Sequence, residues 1–431
     1  MGEGTRQRRR MPAVGTILIG TVSGQGLVIA ISPLLTRMYG PSDFGALAVL
    51  TAVSSVVGAF ATFGVDRAVI VARTSGAVRH LIRVGATGAA LIALLMGVVV
   101  WAGRAWLADL FAAPSLGELW WLFPSTSFAI SLQRIFSAAI TRQRRYRSIA
   151  VRNGLQGASQ SLCNVLLAPL GPIGLLGGLL AGRLAGVLGL VRGASRPVPE
   201  EHSVRLATTL RDHRRFLLVT PWSAAVNVLG QQAPSIILAM SLGSTAAGFV
   251  ALTMRVLGAP VGMIADAVAQ WSAGAMGHRI RTGAPLATLV RRTVVRSALG
   301  ALVAALLVVG LAPPTFTTVF GEQWADAGKY AQVLAPAFAL QVVASPVTQL
   351  LSLLGRQTLQ LGWDVGRLVL TSGSVLLATL VSYEPMVAVT ALAAAMILAY
   401  GTVLVLVFTA VRRATPAASD IPAGAQETLS V

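Results

Sequence analysis

Long apolar runs alternate along the chain with short stretches that carry turn residues and arginine. Two of them, Ser297 to Phe320 and Met386 to Val411, hold no charged residue at all, and about 20 apolar residues are enough for a helix to cross a bilayer. In hydrocarbon the backbone must satisfy its own hydrogen bonds, so such runs are predicted to be helices. None shows the two-residue alternation of an outer-membrane barrel. Turn signals and charge clusters divide the chain into about twelve predicted spans, at 12–36, 44–72, 84–103, 119–140, 153–168, 172–191, 216–241, 246–272, 297–313, 330–354, 361–382 and 387–411. The predicted fold class is therefore an all-α polytopic membrane protein.

Composition agrees with this pattern. Of 431 residues, 55% are hydrophobic and 11% charged, against about 25% charged in a soluble domain. The net charge of +19 would fit a nucleic-acid partner, but the basic residues lie between apolar runs and not on a soluble domain, so none is expected. Topology explains them better, because basic residues are retained on the cytoplasmic side of inserted helices. With the N-terminus inside, the inner segments hold 26 of the 34 Lys and Arg, the outer segments hold three (Arg37, Arg104, Lys329), and five fall within spans. Both termini are predicted to be cytoplasmic, in the inner cell membrane. The stretch after Arg6 to Arg10 is too long for a signal-peptide core and reads as the first span. Cys163 is the single cysteine and reads as a small buried hydrophobe.

The longest inner connection, 192–215, separates two predicted six-span bundles, 12–191 and 216–411, with an N-tail at 1–11 and a Pro/Ala/Ser-rich, disordered C-tail at 412–431. The halves carry similar pieces in the same order. Gly24-Gln25 followed by Tyr39-Gly40-Pro41-Ser42-Asp43-Phe44-Gly45-Ala46-Leu47 parallels Gly230-Gln231 followed by Leu242-Gly243-Ser244-Thr245-Ala246-Ala247-Gly248-Phe249-Val250-Ala251-Leu252. Thr74-Ser75-Gly76-Ala77 likewise parallels Thr282-Gly283-Ala284, each ahead of a basic stretch and an apolar span. An even number of spans per half leaves both halves in one orientation, the parallel-repeat layout of many transporters.

The segment Leu34-Leu35-Thr36-Arg37-Met38-Tyr39-Gly40-Pro41-Ser42-Asp43-Phe44-Gly45, with Phe63-Gly64-Val65-Asp66-Arg67-Ala68 after it, resembles bacterial polysaccharide (O-antigen and exopolysaccharide) flippases. These belong to the multidrug/oligosaccharidyl-lipid/polysaccharide exporter superfamily. Val319-Phe320-Gly321-Glu322-Gln323-Trp324-Ala325-Asp326-Ala327-Gly328-Lys329-Tyr330, Leu334-Ala335-Pro336 and Leu353-Leu354-Gly355-Arg356-Gln357 carry the resemblance over most of the chain. It implies twelve helices in two bundles around a central cavity, and a substrate in which an oligosaccharide is joined to a polyprenyl diphosphate. Membrane lipids, a polysaccharide polymerase and glycosyltransferases would be the accompanying partners. The related peptidoglycan-precursor flippases usually have fourteen spans, so a count of twelve favours the polysaccharide branch. An ion-coupled multidrug exporter of the same superfamily, and an integral-membrane polymerase or glycosyltransferase, are the alternatives.

A charge within a span is costly unless paired or hydrated, which makes the intramembrane ionisable residues the first candidates. Arg183 lies mid-span between glycines that permit close helix approach. Arg255, Arg134 and Arg367 are the other candidates for a substrate cavity, since guanidinium offers a fixed fork of donors to phosphate oxygens. Arg134 is near enough to a helix end to reach the interface. Among the acids, Asp66 reads as a salt bridge or cap, Asp364 shares a helix face with Arg367 and is expected to pair with it, and Asp266 has no basic neighbour at helical spacing. These three are the candidates for coupling to a proton or sodium ion. Gln25 and Gln231 occupy matching places in the halves and could bind sugar or join helices. Trp324 and Tyr330 read as interfacial aromatics. His80, His202, His213 and His278 lack metal-ligand spacing, and the Gly174–Gly182 stretch lacks the Gly-Lys-Ser/Thr of a phosphate loop. No metal, cofactor or catalytic centre is expected.

Overall fold

The computed structural model describes residue 24 and residues 26–72, 74–143, 145–194, 205–265, 286–353 and 356–414. These are helical with no strand among the described residues. The principal helices are α1 (Ser32–Met38), α2 (Pro41–Phe60), α3 (Val65–Val71), α4 (Ser75–Ala102), α5 (Leu122–Arg142) and α6 (Tyr146–Leu166). They continue with α7 (Pro172–Ala194), α8 (Arg214–Thr253), α9 (Ala287–Thr315), α10 (Ala325–Leu353), α11 (Gln357–Val381) and α12 (Pro385–Ala414). Eight helices among the described residues are long and apolar enough to cross a membrane. The predicted first span is described only from residue 24, and the tail beyond 414 and residues 195–204 of the 192–215 connection lie outside the described residues.

Two predicted spans take a different form. The stretch 44–72 is broken at Ala61–Gly64, where Phe63 and Gly64 both have positive φ, 48° and 67°. Gly64 is needed there because a Cβ would meet the Phe216 carbonyl oxygen at 2.3 Å. Phe63 has no such freedom; its ring lies against Gly88, and the neighbouring Phe60 makes an edge contact with Trp222 at 5.0 Å. The third span starts at Ser75 and not at 84, because Thr74 Oγ1 accepts from the Ala77 N–H at 3.2 Å and caps the helix. The predicted seventh and eighth spans meet at Gly243, whose φ of 78° and ψ of 171° break α8 into two helical stretches. A π-helical turn, Met254–Gly258, follows.

Contacts gather the chain into two compact units. The first runs from the N-terminal helices to Arg255 and takes in 314–328 and 379–385; the second comprises 256–313, 329–378 and the chain from 386 onward.

In the first unit, α2 packs closely on α8, and α6 and α7 form a tight hairpin. Tyr39 closes the turn between α1 and α2. Its hydroxyl donates to the Asn164 carbonyl at 2.6 Å, and burial, with Asp43 second, pushes the phenol up to about 12. The Gly40 N–H donates to the Asp43 carboxylate at 3.0 Å, fixing the start of α2. Trp324, expected at the interface, is instead 0% exposed in this unit's core. Its burial is made possible because the indole N–H finds the Thr36 carbonyl at 3.0 Å.

The second unit contains most of α9 and α10 together with α11 and α12. Here Tyr330 is also buried, and Trp363 donates its indole N–H to the Ala399 carbonyl at 2.7 Å, joining α11 to α12. Leu299, Leu302, Val303 and Leu306 leave one face of α9 bare, as hydrocarbon-facing surface should be.

Candidate functional site

The site grows from the α6–α7 hairpin. Gly174, Gly178, Gly182 and Gly186 recur every four residues and so share one face of α7. A Cβ on Gly182 would meet Gln160 Cβ at 2.7 Å and the Gln156 oxygen at 2.8 Å. The two backbones therefore approach as closely as small-residue stripes allow in membranes. This sets Arg183 beside the polar stripe of α6, made by Arg152, Gln156 and Gln160 at the same four-residue spacing.

From there a chain of polar contacts reaches α5. Arg183 Nη1 donates to Gln133 Oε1 at 2.8 Å, and Gln133 Nε2 donates to Gln156 Oε1 at 2.5 Å. Arg152 Nε donates to Asn153 Oδ1 at 2.9 Å, and its Nη1 reaches Ser137 Oγ at 3.4 Å. Arg134 Nη2 meets Asp66 Oδ2 at 3.1 Å, with the side chains 36% and 13% exposed. Asp66 Oδ1 accepts from the Arg67 N–H at 3.1 Å and lies 3.3 Å from Thr62 Oγ1.

These groups line a cavity of about 540 Å³ that includes Asp66, Arg67, Gln133, Arg134, Arg152, Arg183, Gln231 and Gln232. A second cavity of about 470 Å³, lined by Val28, Asn153, Gln156 and Gln160 among others, shares Arg152 and Arg183 with it. The first cavity thus has four guanidinium groups to one carboxylate. The buried Nε atoms of Arg134 and Arg183 have no hydrogen-bond partner among the described residues. Such a surface is suited to an anion with several oxygens, since arginine presents paired donors and carries its charge at any working pH. The adjacent amides can donate to or accept from hydroxyls.

Of the sequence-derived candidates, Arg183, Arg134, Gln231 and Asp66 come together here. Asp66 takes Arg134 as its partner and not its neighbour Arg67, as the ~100° turn between adjacent helical residues requires. Arg255 is in the same unit but lines neither cavity; its Nη2 donates to the Val28 carbonyl at 3.3 Å and its guanidinium lies 5.8 Å from the centre of the Phe44 ring. Arg367 and Asp364 belong to the second unit, where they form the expected pair at 3.7 Å beside Trp363. Gln25 and Asp266 lie outside the described residues. Sequence reasoning missed Gln133, Gln156 and Arg152, the last because it was counted among the topology-setting arginines. The signal was present in the four-residue spacing 152, 156, 160, which runs from the edge of a predicted span into it.

Residues 34–329 match the family described as polysaccharide biosynthesis protein. The chain belongs to this family. It is 25% identical over 374 residues to the succinoglycan biosynthesis transport protein ExoT of Rhizobium meliloti (strain 1021), covering 84% of the chain and 73% of that protein. Among solved structures, the lipid II flippase MurJ in an inward closed conformation superposes with a TM-score of 0.72 at 11% identity, covering 94% of the chain and 90% of MurJ. An inward-facing multidrug resistance MATE family transporter of the MOP superfamily gives 0.68 at 15% identity, covering 93% and 96%. The family member therefore has the all-α fold of these multi-pass membrane proteins, with about twelve transmembrane helices.

Proposed function

We propose that the protein is a flippase that moves a polyprenyl-diphosphate-linked oligosaccharide from the cytoplasmic to the outer leaflet by alternating access, for cell-surface polysaccharide biosynthesis. One observation carries this reading: four arginines and several amides converge on one intramembrane cavity with a single carboxylate. Guanidinium forks suit the diphosphate, and amides suit sugar hydroxyls. The succinoglycan transport protein and the lipid II flippase named above support the same class of cargo.

The 26 inner basic residues against three outer ones support a topology in which both termini are cytoplasmic in the inner membrane. The headgroup would enter from that side while the prenyl tail stays in lipid, and two six-helix repeats, 12–191 and 216–411, would rock about the cargo. A negative-inside potential drives an anionic headgroup outward, by about 2.3 kcal/mol per charge per 100 mV. Asp266 and Asp364 stand as coupling acids if an ion gradient is also used. Polymerase and glycosyltransferases would act after and before this step.

The resemblance of fold to the MATE transporter favours a second reading, an ion-coupled multidrug exporter. The charge of the cavity opposes it, because cationic drugs call for carboxylates. Purified protein in liposomes should translocate a fluorescent polyprenyl-diphosphate oligosaccharide. Liposomes in which no such lipid moves, while a cationic dye does, would decide for the exporter.

A further inference from the structure

The cavity holds four arginines but they are not in the same state. Arg183 is met by the neutral amide of Gln133 and Arg152 by Asn153 and Ser137, whereas Arg134 is met by a carboxylate. That carboxylate, Asp66, sits on the first turn of α3 and is presented only because the α2–α3 break at Phe63–Gly64 redirects the chain. Its second oxygen is held by the Arg67 N–H and lies close to the Thr62 hydroxyl, so it is oriented within the cavity wall. The pair is partly open to the cavity, and Arg134 keeps a buried Nε without a partner among the described residues.

We propose that Asp66 is an internal counter-anion, which occupies Arg134 while the cavity is empty and is displaced when a phosphate of the cargo arrives. This rests on the flippase reading and adds to it a specificity-determining residue. A carboxylate and a phosphate oxygen are alternative acceptors for one guanidinium fork, so Asp66 competes with the ligand. The competition has two consequences. Arg134 keeps an anion during the return of the empty carrier, and a ligand must offer more than one weak acceptor to take it. Diphosphates pass this threshold, whereas neutral lipids and single hydroxyls do not. Asp66 is thereby assigned to selection of the cargo and not to coupling with an ion.

The probe is farnesyl diphosphate, with farnesol as control, titrated against the full chain in detergent or nanodiscs. Asp66→Asn should bind farnesyl diphosphate about three- to tenfold more tightly than wild type, the range for freeing a partly exposed charged donor. Asp66→Glu should restore the wild-type affinity. In an Arg134→Ala background the Asp66→Asn change should have no effect, and farnesol should bind no better to any variant. Asp66→Ser removes the same charge and takes the place of the Asn variant if the latter does not fold. Wild-type binding with equal or weaker binding by Asp66→Asn and Asp66→Ser would overturn the counter-anion role and leave the flippase reading standing. No diphosphate binding by wild type or by either variant would overturn both.

Discussion

Gly45 and Gly248 stand at the same place in two copies of one motif, and each is pressed against the helix that carries the other. A Cβ on Gly45 would lie 1.8 Å from the Ser244 carbonyl oxygen, and one on Gly248 would lie 1.8 Å from the Pro41 carbonyl oxygen. Pro41 and Gly45 are four apart, as are Ser244 and Gly248, so the contact repeats itself about a local two-fold. Both helical stretches begin after a glycine, Gly40 and the kinked Gly243. The crossing is what two copies of one helix entering the membrane from one side would make, which supports the duplication read from sequence.

Replacing either glycine by alanine should therefore be destabilising. Neither backbone can move without opening the α2–α8 interface, and overpacking of this kind costs about 1–3 kcal/mol or more. Gly45→Ala and Gly248→Ala should each lower the thermal midpoint of the purified protein in detergent. Gly177→Ala, where an added Cβ meets nothing within 4 Å, should leave it unchanged or raise it by the helix preference for alanine, about 1 kcal/mol. Equal behaviour of all three would mean that α2 and α8 do not meet through these residues.

Trp324 is the second test of packing. Its ring makes edge contacts with Phe44 at 5.0 Å and Phe249 at 5.9 Å, and Gln323 joins it at the Thr36 carbonyl, donating at 2.7 Å. Trp324→Ala should cost about 3–5 kcal/mol, and Trp324→Phe closer to the ~1 kcal/mol of the lost hydrogen bond. Thermal unfolding followed by near-ultraviolet circular dichroism distinguishes these from an interfacial tryptophan, whose removal would barely register.

The pattern of apolar runs made most helices legible because hydrocarbon forces a helix on any long apolar segment. What it could not show is where such a segment bends. The break at Phe63–Gly64 depends on Phe216 and Gly88 arriving from elsewhere in the chain. Trp324 was misread for a related reason: an aromatic next to a polar turn looks interfacial until the Thr36 carbonyl is seen to satisfy its N–H. Arg183, Arg134 and Asp66 could be picked out because charge inside a span is rare. Arg152 could not, because its sequence position at a span end is what the inside rule also produces. Partnership was the other hidden quantity, since Asp66 and Arg134 are far apart in sequence, whereas Asp364 and Arg367 pair at a spacing the helix itself dictates.

That local pair leads to a prediction of small effect. Asp364 and Arg367 are 35% and 28% exposed and 3.7 Å apart, a geometry for which pairs contribute under about 1 kcal/mol. Asp364→Asn should shift thermal stability by no more than this and leave translocation intact in liposomes without an imposed gradient. If the same variant removed a dependence on an imposed proton or sodium gradient, Asp364 would be a coupling acid and not a structural partner.

Arg183 should be the most sensitive position for transport. Its guanidinium is wedged between α5 and α6, bound to Gln133 through one nitrogen, with its buried Nε lacking a partner among the described residues. Lysine would keep the charge but lose the planar fork and the reach to Gln133, so Arg183→Lys is not a conservative change. If each charge-assisted bond to phosphate contributes about 1.5–3 kcal/mol, Arg183→Lys should slow translocation by about tenfold and Arg183→Ala by about a hundredfold. Arg255→Ala, outside the cavity, should cost far less transport for the same amount of inserted protein. Initial rates of a fluorescent prenyl-diphosphate oligosaccharide crossing liposomes, normalised to reconstituted protein, give the order directly. An order in which Arg255→Ala is the slower variant would move the phosphate site away from the α5–α6–α7 cavity and toward the Phe44 end of α2.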